Sequence, residues 1–167
     1  MKKIVVIAGA LFLVVLLATQ VFLFTHQPTP IDELRIKAAV LPSLKLRGLD
    51  DTNFEIPNGR PVVLIYFNST CDHCREEMNA IKKEIDLFDE ANLIFFSSEE
   101  MPSIVEFASW SGLSGSNVRF GKVSPEEVAS RFGVLSLPQI FIYNQQGALN
   151  EIFSGETAPA IIAGALR

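Results

Sequence analysis

The sequence predicts an α/β domain, a sheet with helices on both faces, carried behind one N-terminal transmembrane helix. Three observations lead there. Apolar runs of strand length at residues 61–67, 93–96 and 137–143 alternate with segments of helical periodicity. The chain closes in a hairpin followed by a short helix. Both cysteines of the 167-residue chain, Cys71 and Cys74, stand at the junction between the first run and the helix after it.

The N-terminus comes first. Met1-Lys2-Lys3 precedes residues 4–24, a stretch of 21 residues without a charge and with only Thr19 and Gln20 as clear polar breaks. That length spans a bilayer as a helix. The two lysines favour the cytoplasmic side, which sends the rest of the chain out of the cytoplasm. A cleaved signal peptide would need a small-x-small site after a shorter apolar core. Here Val21-Phe22-Leu23-Phe24 ends the run, and Ala8-Gly9-Ala10 falls too early. The expectation is a single-pass inner-membrane anchor over residues 1–24, a linker over 25–40, and a domain over 41–167 facing the periplasm or exterior. His26 in this linker reads as a solvated or interfacial residue without ligand partners.

Residues 31–40 predict a short helix with Ile31, Leu34 and Ala38 on one face and Asp32 near its cap. Residues 41–48 alternate apolar and polar, as a half-buried strand does. Asp50-Asp51-Thr52-Asn53 is a turn, Phe54-Glu55-Ile56 a short returning strand, and Pro57-Asn58-Gly59-Arg60 another turn. Residues 61–67 are a buried strand. After the cysteines, Met78, Ile81, Ile85 and Phe88 recur at helical spacing, with Glu76, Glu77, Lys82, Lys83 and Glu84 mostly on the opposite side. Residues 93–96 are a second central strand. Pro102 opens a helix that Gly112 ends, with Trp110 as a packing residue. Residues 118–120 form a short strand. Ser124, Pro125 and Glu127 place a cap, a first-turn proline and a capping-box acid at a helix start that runs to Gly133. A strand then opens at Pro138. Asn144-Gln145-Gln146-Gly147 turns it, residues 148–153 return antiparallel, and residues 157–166 end the chain as a helix.

The chemistry sits in Cys71-Asp72-His73-Cys74. A thiol at the start of a helix meets free backbone N–H groups and the positive end of the helix dipole, which stabilise a thiolate. Cys71 is then the attacking nucleophile, and Cys74, one turn further in, resolves the mixed disulfide. A cationic His73 favours the Cys71 thiolate and makes the pair more oxidising, while Asp72 works against it. A zinc site wants four ligands, and the chain holds two cysteines and two histidines in all. A structural disulfide would close too short a loop to contribute much stability. The formal charge is −5, and without Lys2 and Lys3 it is −7 (12 basic against 19 acidic residues). No basic patch interleaved with aromatics occurs, so nucleic acid is not an expected partner.

The order strand, Cys-x-x-Cys, helix, strand, helix, proline-strand-hairpin-helix resembles the thioredoxin fold, with a central mixed sheet flanked by helices. In detail it is similar to the membrane-anchored TlpA/ResA-type thiol-disulfide oxidoreductases, which share ground with the peroxiredoxin-like group. The matching stretches are Leu41-Pro42-Ser43-Leu44, the strand with Cys71 to Cys74, Glu77, the 97–112 segment, and Phe132-Gly133-Val134 through Leu137-Pro138 to Gly147. The resemblance implies that Pro138 is the family's cis-proline beside the cysteines, with Leu137 backbone pairing to an extended substrate. It implies that Glu77 assists proton transfer; the alternative for Glu77 is a solvated helix-face carboxylate. The chain departs from the pattern at four places. His73 stands where proline is usual and Thr70 where an aromatic is common. Ile65 takes the position of thioredoxin's buried acid, and Asn68 that of the peroxiredoxin threonine.

The expected activity is therefore extracytoplasmic thiol–disulfide exchange on protein disulfides, reduction ahead of oxidation, with a membrane-associated redox partner and no cofactor. The competing readings are a thiol peroxidase using Cys71 alone, a metallochaperone holding Cu(I) on Cys71 and Cys74 with or without His73, and a redox-inert interaction module.

Overall fold

A computed structural model describes residues 2–25, 29–133 and 135–167, and the side chains among them except those of residues 2–8, 10 and 25. His26 and Val134 lie outside the described residues. The chain divides into two compact units, residues 1–33 and 34–167.

In the first unit, α1 (Lys2–Thr25) is one uninterrupted helix of 24 residues. The side chains from Leu11 to Phe24 are all exposed. Among the residues whose side chains are described, which leave out 2–8, 10 and 25 of α1, no helix is long and apolar enough to cross a membrane. The next helix, α2 (Pro30–Lys37), starts inside what the sequence marks as linker. Its entry is a reciprocal cap. Thr29 N–H and Oγ donate to Asp32 Oδ2 at 2.9 and 2.6 Å, and Asp32 N–H donates back to Thr29 Oγ at 3.3 Å. Ile31, expected on the apolar face, is exposed.

The second unit is a seven-stranded mixed sheet in the order β2-β1-β5-β4-β3-β6-β7. Its strands are β1 (Leu46–Gly48), β2 (Asn53–Phe54), β3 (Val62–Tyr66), β4 (Asn92–Ser97), β5 (Val118–Lys122), β6 (Gln139–Tyr143) and β7 (Leu149–Ser154). β3, β4 and β5 are parallel, and β6 lies antiparallel to β3 from Val62↔Tyr143 to Tyr66↔Gln139. The predicted strand over 41–48 is shorter than expected: only its last three residues join the sheet, beside β5.

β3 reads as one apolar run because both of its faces are covered. Val63 and Ile65 point into one core with Phe67, Met78, Ile81, Phe95, Phe107 and Ile162. Val62 and Leu64 point into the other with Leu34, Phe96, Val128, Phe132, Phe141 and Tyr143. The first core is roofed by α3 (Asp72–Lys83), α4 (Met101–Ser111) and α6 (Pro159–Gly164). The second is covered by the end of α2 and by α5 (Pro125–Arg131). Phe67 stacks on Phe107 with ring centres 4.6 Å apart.

The helix after the cysteines does not run to Phe88. It ends at Lys83, and Ile85–Phe88 forms a 3₁₀ turn that still buries Phe88. α4 ends as expected at Gly112, whose φ of 61° is left-handed. At α5, Ser124 Oγ accepts from Glu127 N–H at 3.1 Å. Ser124→Ala is therefore expected to cost about 1 kcal/mol in a denaturant melt of the full chain; an unchanged midpoint would mean the cap carries no stability.

Candidate active site

The parallel strands β3, β4 and β5 end on one edge of the sheet, and their exit loops meet there. Residues 68–71 leave β3 along this edge. Asn68 Oδ1 accepts from Thr70 N–H and Oγ at 2.9 and 2.7 Å, and Cys71 N–H donates to Asn68 O at 3.2 Å. Cys71 is the N-cap of α3, with extended φ −81° and ψ 118°, and its Sγ accepts from Cys74 N–H at 3.4 Å. The Cys74 amide of this first turn thus points at a sulfur, where a serine or aspartate oxygen usually sits.

The two sulfurs differ in environment. Both cysteines are free thiols; Cys71 is half-buried and Cys74 is 1% exposed, inside the apolar core. Burial pushes the Cys74 thiol up to about 12, with a backbone hydrogen bond from Asn68 opposing and the charges of Cys71 and Glu99 adding. Facing Cys71 is the bend before β6. The Leu137–Pro138 peptide is cis, and Leu137 O lies 3.9 Å from Cys71 Sγ as acceptor of its S–H.

Glu77 departs from the amphipathic reading of α3. It is buried, 3% exposed, and not on the polar side. Its Oε2 accepts from Thr157 N–H at 2.6 Å, while Oε1 has no partner among the described residues. Burial raises its pKa to about 7 against the lowering effect of the Thr157 amide, and the Glu156 charge adds to the rise. Helical periodicity alone put it outside; the α6 entry loop folds over that flank of α3 and covers it.

His73 is exposed and its Nδ1 pairs with the Glu156 carboxylate. That hydrogen bond and charge raise the His73 pKa, and Glu76 and Asp72 add to the effect. His73, Glu76 and Glu156 are the group of three His, Cys, Asp or Glu among the described residues whose ligand atoms lie within 4.8 Å of one another. Among the described residues neither cysteine belongs to such a group.

Several site residues escaped the sequence reading. Glu99, at the exit of β4, accepts from Ser69 N–H at 2.6 Å, Ser69 Oγ at 2.8 Å and Ser97 Oγ at 3.3 Å. It clamps the loop two residues before Cys71. A signal was present: the exit of a strand parallel to β3 must lie beside the exit of β3. Arg75 Nε donates to Ser69 O at 3.1 Å, and its guanidinium stacks over Trp110 at 4.7 Å. Trp110, expected to pack, is 41% exposed. Gln139 Nε2 donates to Phe153 O at 2.8 Å and Ser154 Oγ at 3.0 Å, which fixes the start of β6 against β7. Glu156 and Thr157 gave no sequence signal, because their reach to α3 depends on how β7 turns into α6.

The fold and the dithiol at its sheet edge define a thioredoxin-fold protein equipped for thiol chemistry. The chain belongs to the AhpC/TSA family, whose sequence model matches residues 39–152. Among solved structures it is similar to StoA from Bacillus subtilis, at 19% identity and a TM-score of 0.61 over 77% of this chain and 99% of that one. It is similar to a secreted Mycobacterium tuberculosis disulfide oxidoreductase homologous to E. coli DsbE, at 15% identity and a TM-score of 0.64 over 74% and 94%. A peroxiredoxin-like protein from Aquifex aeolicus also superposes, at 11% identity and a TM-score of 0.63 over 77% and 84%. None of the curated proteins matches the chain.

Proposed function

We propose that this protein is a thiol-disulfide oxidoreductase that reduces protein disulfides outside the cytoplasm, held at the inner membrane by α1. The observation that carries the redox reading is the pairing of an accessible Cys71 at a helix N-cap with a buried Cys74 one turn behind it. The Cys71 thiolate attacks a substrate disulfide. An S–S bond forms to Cys71, and the substrate's second sulfur leaves with the electron pair as a thiolate. Cys74 then loses its proton and attacks the Cys71 sulfur, which releases the first substrate sulfur. The substrate gains two electrons and two protons; the protein keeps a Cys71–Cys74 disulfide. Leu137 backbone, beside Cys71, is the edge on which an extended substrate segment aligns. Glu77, one helical turn beyond Cys74 and with a pKa of about 7, is poised to take the Cys74 proton. A membrane-associated dithiol partner would return the electrons.

The anchor reading rests on the sequence. Residues 4–24 carry no charge, and α1 is continuous over them. At ~1.5 Å per residue such a helix matches a hydrocarbon core of about 30 Å.

The test is the reduction potential of the Cys71/Cys74 pair, titrated against glutathione in the full chain in detergent. A value near about −270 mV makes the protein a reductant, and one near about −120 mV makes it an oxidant. Absence of a reversible two-electron couple would end the oxidoreductase reading. Family membership supports a second reading, peroxide reduction by Cys71. It predicts that Cys74→Ser still consumes hydrogen peroxide stoichiometrically. Against it, the Asn68 side chain, three residues before Cys71, is occupied in capping Thr70.

A further inference from the structure

One short loop reaches three parts of the site. Between β7 and α6, Gly155 N–H donates to Pro138 O at 2.9 Å. Glu156 pairs with His73. Thr157 N–H donates to Glu77 at 2.6 Å. Gly155 adopts a left-handed φ of 80°, and an L side chain there would strain the turn that aims the next two residues at α3.

The middle contact bears on an opposition in the sequence. A histidine between the two cysteines should favour the Cys71 thiolate and push the pair toward oxidation, whereas the TlpA/ResA-type resemblance favours reduction. The charges acting on His73 are Glu156 across the loop and Glu76 and Asp72 on its own helix. On the Cys71 side, the sulfur meets the Leu137 carbonyl and the Cys74 amide, and Glu99 acts on Cys74 from the exit of β4. Glu156 alone both touches the imidazole and comes from a different element.

We propose that Glu156 is a positioning residue for the dithiol: its carboxylate holds His73 and cancels the imidazolium charge, so the Cys71 thiolate receives no net help from the histidine beside it. The proposal rests on the reading of Cys71 as the nucleophile and specifies its direction. With the pair formed, the site behaves as if a neutral residue stood between the cysteines, which favours the reducing end of the range.

The test is the rate at which iodoacetamide alkylates Cys71 in the full chain at pH 6, followed by intact mass. Cys74 is buried with a thiol pushed up to about 12, so a single adduct reports Cys71. In Glu156→Gln the imidazolium loses the carboxylate that pairs with it, and labelling should rise roughly threefold, the size of one charge acting through solvent. His73→Gln leaves Glu156 unpaired and should slow labelling by about the same factor. The double variant, with neither charge, should return to the wild-type rate. If the double variant instead labels at the His73→Gln rate, or Glu156→Gln at the wild-type rate, the carboxylate does not act on the thiolate and the proposal is overturned. Labelling needs no disulfide substrate, so this result is independent of turnover. A Cys71 that labels no faster than Cys74 would instead sink the nucleophile assignment itself.

Discussion

Cys71→Ser is expected to abolish disulfide reduction, with a loss of at least about 10³-fold in rate, because no other accessible thiol exists to form the first covalent bond. Cys74→Ser is expected to behave differently. Cys71 still attacks, but nothing resolves the product, so the variant accumulates as a mixed disulfide with its substrate. The buried position of Cys74 and its thiol pKa of about 12 keep it from substituting as the first nucleophile. Non-reducing gels with a scrambled disulfide substrate separate the outcomes: no adduct with Cys71→Ser and a stable adduct with Cys74→Ser. An adduct with Cys71→Ser would reverse the roles of the two sulfurs.

The second large effect concerns Glu77 and stability. Its carboxyl has a pKa of about 7 in the folded chain against an ordinary 4.5. A raised carboxyl pKa means that the folded state holds its proton more tightly than the unfolded one. The stabilisation is complete below pH 4.5 and is lost as pH rises through about 7. Wild type should therefore lose about 2–3 kcal/mol relative to Glu77→Gln between pH 4.5 and pH 8. Glutamine cannot ionise, so its curve lacks this pH dependence, and the same variant should slow release from the mixed disulfide. Urea melts of both proteins at the two pH values measure it. Parallel stability curves would show that Glu77 ionises without cost and is not buried in solution.

Most of the sheet was legible because its strands are buried on both faces and read as unbroken apolar runs. β3, β4 and β6 are of this kind. The alternation over residues 41–48 overstates β1, since Leu44 and Leu46 alternate with polar residues yet only Leu46 lies in a strand. The dithiol, its place at a helix start and the proline before β6 were also legible, because each depends on residues close in sequence or on a resemblance that covers the domain. What the sequence hid was pairing across the fold. Glu77 looked like a polar-face residue until the α6 entry loop covered it. Glu99 and Glu156 are ordinary surface acids by composition, and only the convergence of loops at one edge gives them partners.

The inequality of the two sulfurs has a consequence for how the site meets small electrophiles and stray disulfides. Only Cys71 can be capped, and every disulfide cap it acquires sits within reach of a second thiol that expels it. With the proposed roles of the two sulfurs, glutathione or cysteine adducts should be transient, the protein clearing its own active site at the cost of becoming oxidised. Alkylation of the Cys71 sulfur, and its over-oxidation to sulfinic or sulfonic acid, are lesions this arrangement does not repair, because no S–S bond is present for Cys74 to attack.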